Sequence, residues 1–142
     1  MTAVTTMVAG EVETEQEIVA FPCGIAGFET CRGFVVLSAE TAPLQWLSAV
    51  DGPPASFLVV DPKRLLPTYR YALGKTDLER LRAADESTLL WLAIVLVESD
   101  GTVTANLRAP IVINPEAMIG LQVMPQDCVY PLRHVIVPAA EK

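Results

Sequence analysis

The stretch Thr102–Asn114, TVTANLRAPIVIN, decides the fold class. Read at period two it is an apolar, β-branched run: Val103, Ala105 and Leu107, then Ile111, Val112 and Ile113, with a polar insert at Asn106–Pro110. Proline cannot donate to a β-ladder, so Pro110 is expected at an edge, a bulge or a corner. The stretch therefore predicts a strand that either turns a sheet or presents it to a partner.

Its flanks extend the reading. Ser99-Asp100-Gly101-Thr102 places Asp-Gly at the centre of four turn-prone residues, which predicts a hairpin joining this strand to the apolar run Leu89–Glu98. That run, LLWLAIVLVE, reads as a central strand buried on both faces. Asn114–Met118 is a further turn, followed by strands over Ile119–Met124 and Val129–Leu132 and a loose tail at 138–142.

The first half reads the same way. Thr5–Val12 and Ile18–Phe21 are short strands linked by an acidic connection, Glu13–Glu17. Phe34–Ser38, Leu44–Val50 and Phe57–Val60 follow, broken by the Asp51-Gly52-Pro53-Pro54 loop and by Asp61-Pro62. Tyr69–Tyr71 suggests another short strand, and Trp46 is expected in the core. The persuasive helix is Thr76–Ala84, with Thr76 and Glu79 as a capping box and Leu78 and Leu81 as its apolar face. Roughly eight to eleven strands spaced about ten residues apart predict a mostly β fold, a compact antiparallel β-barrel-like single domain with one short helix. That domain spans 1–142, with about 5–137 structured.

Composition narrows the function classes. Hydrophobic residues make up 51% of the 142-residue chain, which excludes disorder and allows one core. No apolar run reaches the roughly 18 residues of a membrane span, and the first residues lack the basic and apolar regions of a signal peptide. A cytoplasmic location is the expectation. The net charge of −7 is concentrated in residues 1–62, where Arg32 faces eight acids. Direct nucleic-acid binding needs a basic footprint and is disfavoured, whereas a basic protein partner is compatible.

Catalytic signals are sparse. Cys23, Cys31 and Cys128 are an odd set without an export signal, which argues against a disulfide framework, and a zinc site would need all three with His134, the single histidine. No cofactor or metal is expected. A thiol enzyme using Cys23 or Cys31 has no supporting motif, and a small-ligand-binding β-barrel lined by Trp46, Tyr69 and Tyr71 is the alternative reading. The Phe21–Glu29 loop has two glycines three apart beside a proline. It lacks the third glycine, Lys and Ser/Thr of a phosphate cradle, so Gly24 and Gly27 are expected to serve loop geometry, with Ile25 and Phe28 as apolar plugs.

Several stretches, in order, resemble the FliW family of flagellar assembly factors. They are Phe21-Pro22-x-Gly24-Ile25-x-Gly27-Phe28-Glu29, Phe34–Leu37, Phe57 to Asp61-Pro62 with Tyr69, and Thr104–Asn114. The similarity runs from about Thr5 to about Val137, departing from the family pattern at Cys23 and at the Pro53-Pro54 loop. It implies a β-barrel-like fold without enzymatic activity. It also implies binding of flagellin and of the translational regulator CsrA, a small RNA-binding protein, with flagellin and CsrA exchanging the factor so that translation tracks unsecreted flagellin. The chain itself is expected to be monomeric. The partner-binding residues expected from the polar insert are Asn106, Leu107, Arg108 and Pro110, while Phe21, Pro22, Gly24, Gly27 and Phe28 are expected to build the loop.

Overall fold

A computed structural model describes residues 3–7, 13–39, 43–124 and 129–137, with residues 3–7 and 13–16 described by backbone alone. Among the described residues ten strands form: β1 (Ala3–Met7), β2 (Glu13–Glu17), β3 (Val19–Ala20), β4 (Gly33–Ser38), β5 (Gln45–Ala49), β6 (Ser56–Val60), β7 (Leu90–Val97), β8 (Val103–Asn114), β9 (Ile119–Gln122) and β10 (His134–Val137). A 3-10 turn, Pro62–Arg64, and one short helix, α1 (Lys75–Arg80), lie between β6 and β7.

The order β8-β7-β6-β5-β4-β3-β9 returns to β8, because β9 pairs with both β3 and β8. These seven strands close a barrel, with β10 added beside the first half of β8 and β1–β2 forming a separate hairpin. All pairings are antiparallel except the Ala20–Ile119 bridge between β3 and β9. Closure through β9 covers the Ile111–Asn114 end of β8, and β10 covers its Val103–Ala105 end.

β8 is the element on which closure depends. It is one continuous strand of 12 residues. On one side it pairs with β7 at both ends, through Val103–Asn106 and Ile111–Ile113; on the other it meets β10 through Val103–Ala105 and β9 through Ile111–Asn114. Of the positions expected for Pro110, an edge, a bulge or a corner, the structure shows a bulge at a corner, with Pro110 and Leu107 fully buried. Leu92 pairs with Ile111 and Ile94 with Asn106, so Leu107–Pro110 bulge out opposite Ala93 alone. The proline is tolerated because its missing N–H falls where β8 is changing partners.

Three apolar clusters follow from this path. Inside the barrel, Phe21, Ile25, Phe34, Leu47, Val59 and Ile111 pack together, with Phe21 and Phe34 edge to face at 5.1 Å. A second cluster joins Val95, Ala105 and Leu107 to Tyr69, and a third joins Val112 and Leu121 to Leu73 and Leu81. β8 contributes to all three. The Phe21 ring sits so close to β9 that a Cβ on Gly120 would lie 2.3 Å from its Cζ.

Other expectations need correction. Glu13–Glu17 is a strand, since backbone pairing with β1 does not require apolar side chains. Residues 69–71 are irregular, and so are 129–132; the last strand is His134–Val137. The helix starts at Lys75 behind Gly74, which offers no side-chain cap, so Thr76 lies within the first turn and no capping box forms. β7 exposes Leu90, Leu96 and Val97, and Trp46 is 40% exposed on the barrel's outer surface. The expected Asp-Gly hairpin is present: Glu98 N–H donates to the Thr102 carbonyl, Thr102 N–H donates to Asp100, and Gly101 takes φ 92°. Cys128, the 8–12 end of the first expected strand and the expected tail at 138–142 lie outside the described residues.

The Phe21–Gly120 contact gives a test of the barrel interior. Gly120→Ala should destabilise the fold by about 1–3 kcal/mol, because an added methyl must displace a fully buried ring. Urea unfolding measures this, and a Phe21→Leu background should recover part of the loss.

Candidate functional site

The corner of β8 satisfies its own backbone. Asn106 Oδ1 accepts from the N–H groups of Arg108 (3.1 Å) and Ala109 (3.0 Å). Leu107 N–H donates to the Pro131 carbonyl, and the Tyr69 hydroxyl donates to the Leu107 carbonyl at 2.8 Å. The Pro110 carbonyl accepts from Val123 N–H. Of the four residues expected to contact a partner, Leu107 and Pro110 are therefore interior, Asn106 is half-buried, and Arg108 is exposed with its Nε donating to the Tyr130 carbonyl.

The Phe21–Glu29 loop folds by local rules. Gly24 and Gly27 take φ of +67° and +85°, where a side chain is strained, and a Cβ on Gly24 would meet Glu29 Cα at 2.6 Å. Gly24 N–H donates to the Phe21 carbonyl and Phe28 N–H to Ile25, closing a tight turn. Phe21 and Ile25 are buried, whereas Pro22 is exposed and Phe28 keeps 37% of its surface while packing edge to face on Phe57 at 5.1 Å. Glu29 accepts from Gly27 N–H at 3.0 Å, a bond that holds its carboxyl below the ordinary glutamate range.

The two motifs meet at a residue the sequence did not single out. Gln122 on β9 donates through Nε2 to the Ala109 carbonyl at 3.3 Å and accepts at Oε1 from Ala26 N–H at 2.9 Å. One side-chain amide thus ties the β8 corner to the loop. A lone glutamine in a short strand carries no sequence signal for this. The result is a composite surface holding Arg108 on one side and Ala26–Glu29 on the other.

The remaining candidates are dispersed. Cys31 is buried and its thiol donates to the Pro53 carbonyl at 3.2 Å, while Cys23 is at the surface and His134 lies in β10 opposite Ala105. Tyr69 and Tyr71 share one groove with Trp91, and Trp46 does not line it. Among the described residues, no group of three or more His, Cys, Asp or Glu is placed to hold a metal, and no helix is long and apolar enough to cross a membrane.

Asn106→Ala should cost about 1–2 kcal/mol in urea unfolding, since two backbone N–H groups lose their acceptor. Asn106→Asp keeps an acceptor oxygen and should retain most of the stability; an equal loss in both variants would show that the side-chain cap does not hold the corner.

The chain matches the FliW protein family over residues 3–136. It is 36% identical to the flagellar assembly factor FliW of Geotalea uraniireducens, over 98% of this chain and 86% of that one. Its identity to the FliW of Thermotoga maritima is 34%, over 94% and 92% of the two chains. A crystal structure of the flagellar assembly factor FliW superimposes with a TM-score of 0.81 at 31% identity, covering 95% of this chain and 98% of that one. The seven-strand barrel and these matches across nearly the whole chain lead to one conclusion: this protein belongs to the FliW family of flagellar assembly factors.

Proposed function

We propose that this chain acts in the cytoplasm without catalysing a reaction, binding flagellin and a CsrA-type translational regulator and passing from one to the other. The observation that carries the reading is the Gln122 link, which makes one rigid surface of the two segments by which the family is recognised. Arg108 and the exposed edge of Phe28 supply a charged and an aromatic contact on it, a combination suited to protein recognition. The acidic excess of residues 1–62 is complementary to a basic RNA-binding regulator, favouring encounter without attracting the message itself.

Partner exchange requires negative coupling: occupancy by one partner must lower affinity for the other by the same factor in both directions. In a monomer, two partners drawing on one rigid surface meet that requirement by exclusion, without a conformational change.

Titration calorimetry with purified flagellin and the CsrA-type protein of the same cell tests this. Binding to at least one at micromolar concentration is expected, with saturation by either weakening the other. Arg108→Ala with Asn106→Ala, in a protein shown to remain folded, should weaken binding about tenfold or more. Absence of binding to both partners would refute the reading.

A further inference from the structure

Arg108 is exposed, yet one of its donors is already engaged: its Nε–H donates to the Tyr130 carbonyl at 3.0 Å. An exposed hydrogen bond competes with water, so it orders a long side chain only where the acceptor is itself fixed. The acceptor here sits in the irregular residues 129–132, outside the strand ladders, and must be held by other means.

Those means are present. The Pro131 carbonyl accepts from Leu107 N–H at 3.1 Å, and the Tyr130 hydroxyl accepts from Arg70 N–H at 2.8 Å. The Tyr130 ring lies 4.5 Å from that of Tyr69, at 37°. Tyr69 is buried, with its own hydroxyl on the Leu107 carbonyl. Tyr69 and Arg70 border a groove at the barrel mouth beside Lys63, so the ring and hydroxyl of Tyr130 are anchored there while its carbonyl reaches the β8 corner.

We propose that Tyr130 is a positioning residue: it holds Arg108 in one orientation before a partner arrives. A bond at Nε–H sets the plane of the guanidinium and aims the Nη fork, the part that grips an acceptor with two parallel bonds. Ordering such a side chain at the moment of binding lowers affinity, and an arginine ordered in advance avoids that loss. This gain in affinity rests on the partner reading given above; the orientation of Arg108 does not.

Nitrogen spin relaxation of the arginine Nε–H groups in the free, full chain reads the orientation directly. The Arg108 order parameter should lie well above those of the exposed Arg64 and Arg82. It should fall to their level in Tyr130→Ala and be retained in Tyr130→Phe, which keeps the ring against Tyr69; dispersed backbone amide signals show that each variant is folded. An Arg108 Nε–H as mobile as those of Arg64 and Arg82 in the unaltered protein overturns the proposal, as does order that survives Tyr130→Ala. Titrations with flagellin and with the CsrA-type protein then read the gain in affinity. Tyr130→Ala should weaken binding about fivefold in the unaltered background and leave it unchanged in an Arg108→Ala background, because its effect passes through Arg108. Equal weakening in both backgrounds would make Tyr130 a general support of the surface and overturn this route. If the unaltered chain binds neither protein, the partner reading fails, and the relaxation measurement still decides whether Tyr130 positions Arg108.

Discussion

A strand that must pair with three others cannot remain regular. β8 keeps β7 along one side while exchanging β10 for β9 on the other, and the exchange takes place within Asn106–Pro110. Bending a buried strand exposes backbone groups that cost about 1–3 kcal/mol each if left unpaired. Here they are met by the Asn106 side chain, the Tyr69 hydroxyl, the Gln122 amide, the Pro131 carbonyl and the Val123 N–H. Proline fits a position where no ladder bond is due. The polar insert is thus what lets the barrel close, and its satisfaction draws in the 62–73 segment, the approach to β10 and the loop after β3.

That dependence explains what could be read in advance. Local signals were legible: the Asp-Gly hairpin and the glycine turns of the 21–29 loop depend on neighbours in sequence. The mostly β, barrel-like class followed from them. Features set by tertiary pairing were not. Pro110 suits an edge, a bulge or a corner alike, and only the partner switch of β8 makes it a buried bulge. Glu13–Glu17 pairs through its backbone, so an acidic run concealed a strand. The strand His134–Val137 forms because β8 offers an edge there, and the exposed ends of β7 lie beyond the interior that its apolar run seemed to require.

The candidate site was half legible. The loop and the insert stand out as motifs, and Arg108 is exposed as a contact residue must be. Leu107 and Pro110 belong instead to the interior, where they hold the shape of what Arg108 presents. Gln122 could not be found, because its importance lies in two hydrogen bonds to residues 13 and 96 positions away. A rigid scaffold placing exposed loop residues is the common arrangement of a binding protein. In this chain one amide bridges the two backbones.

The central claim is that loop and corner act as one contact surface. Hydrogen–deuterium exchange of the full chain, alone and saturated with flagellin, tests it most directly. Slowed exchange is predicted together at the amides of Gly27–Glu29 and of Arg108, with the barrel mouth around Lys63 and Arg70 unchanged. Protection at the mouth, with the loop and corner exchanging as in the free protein, would contradict it.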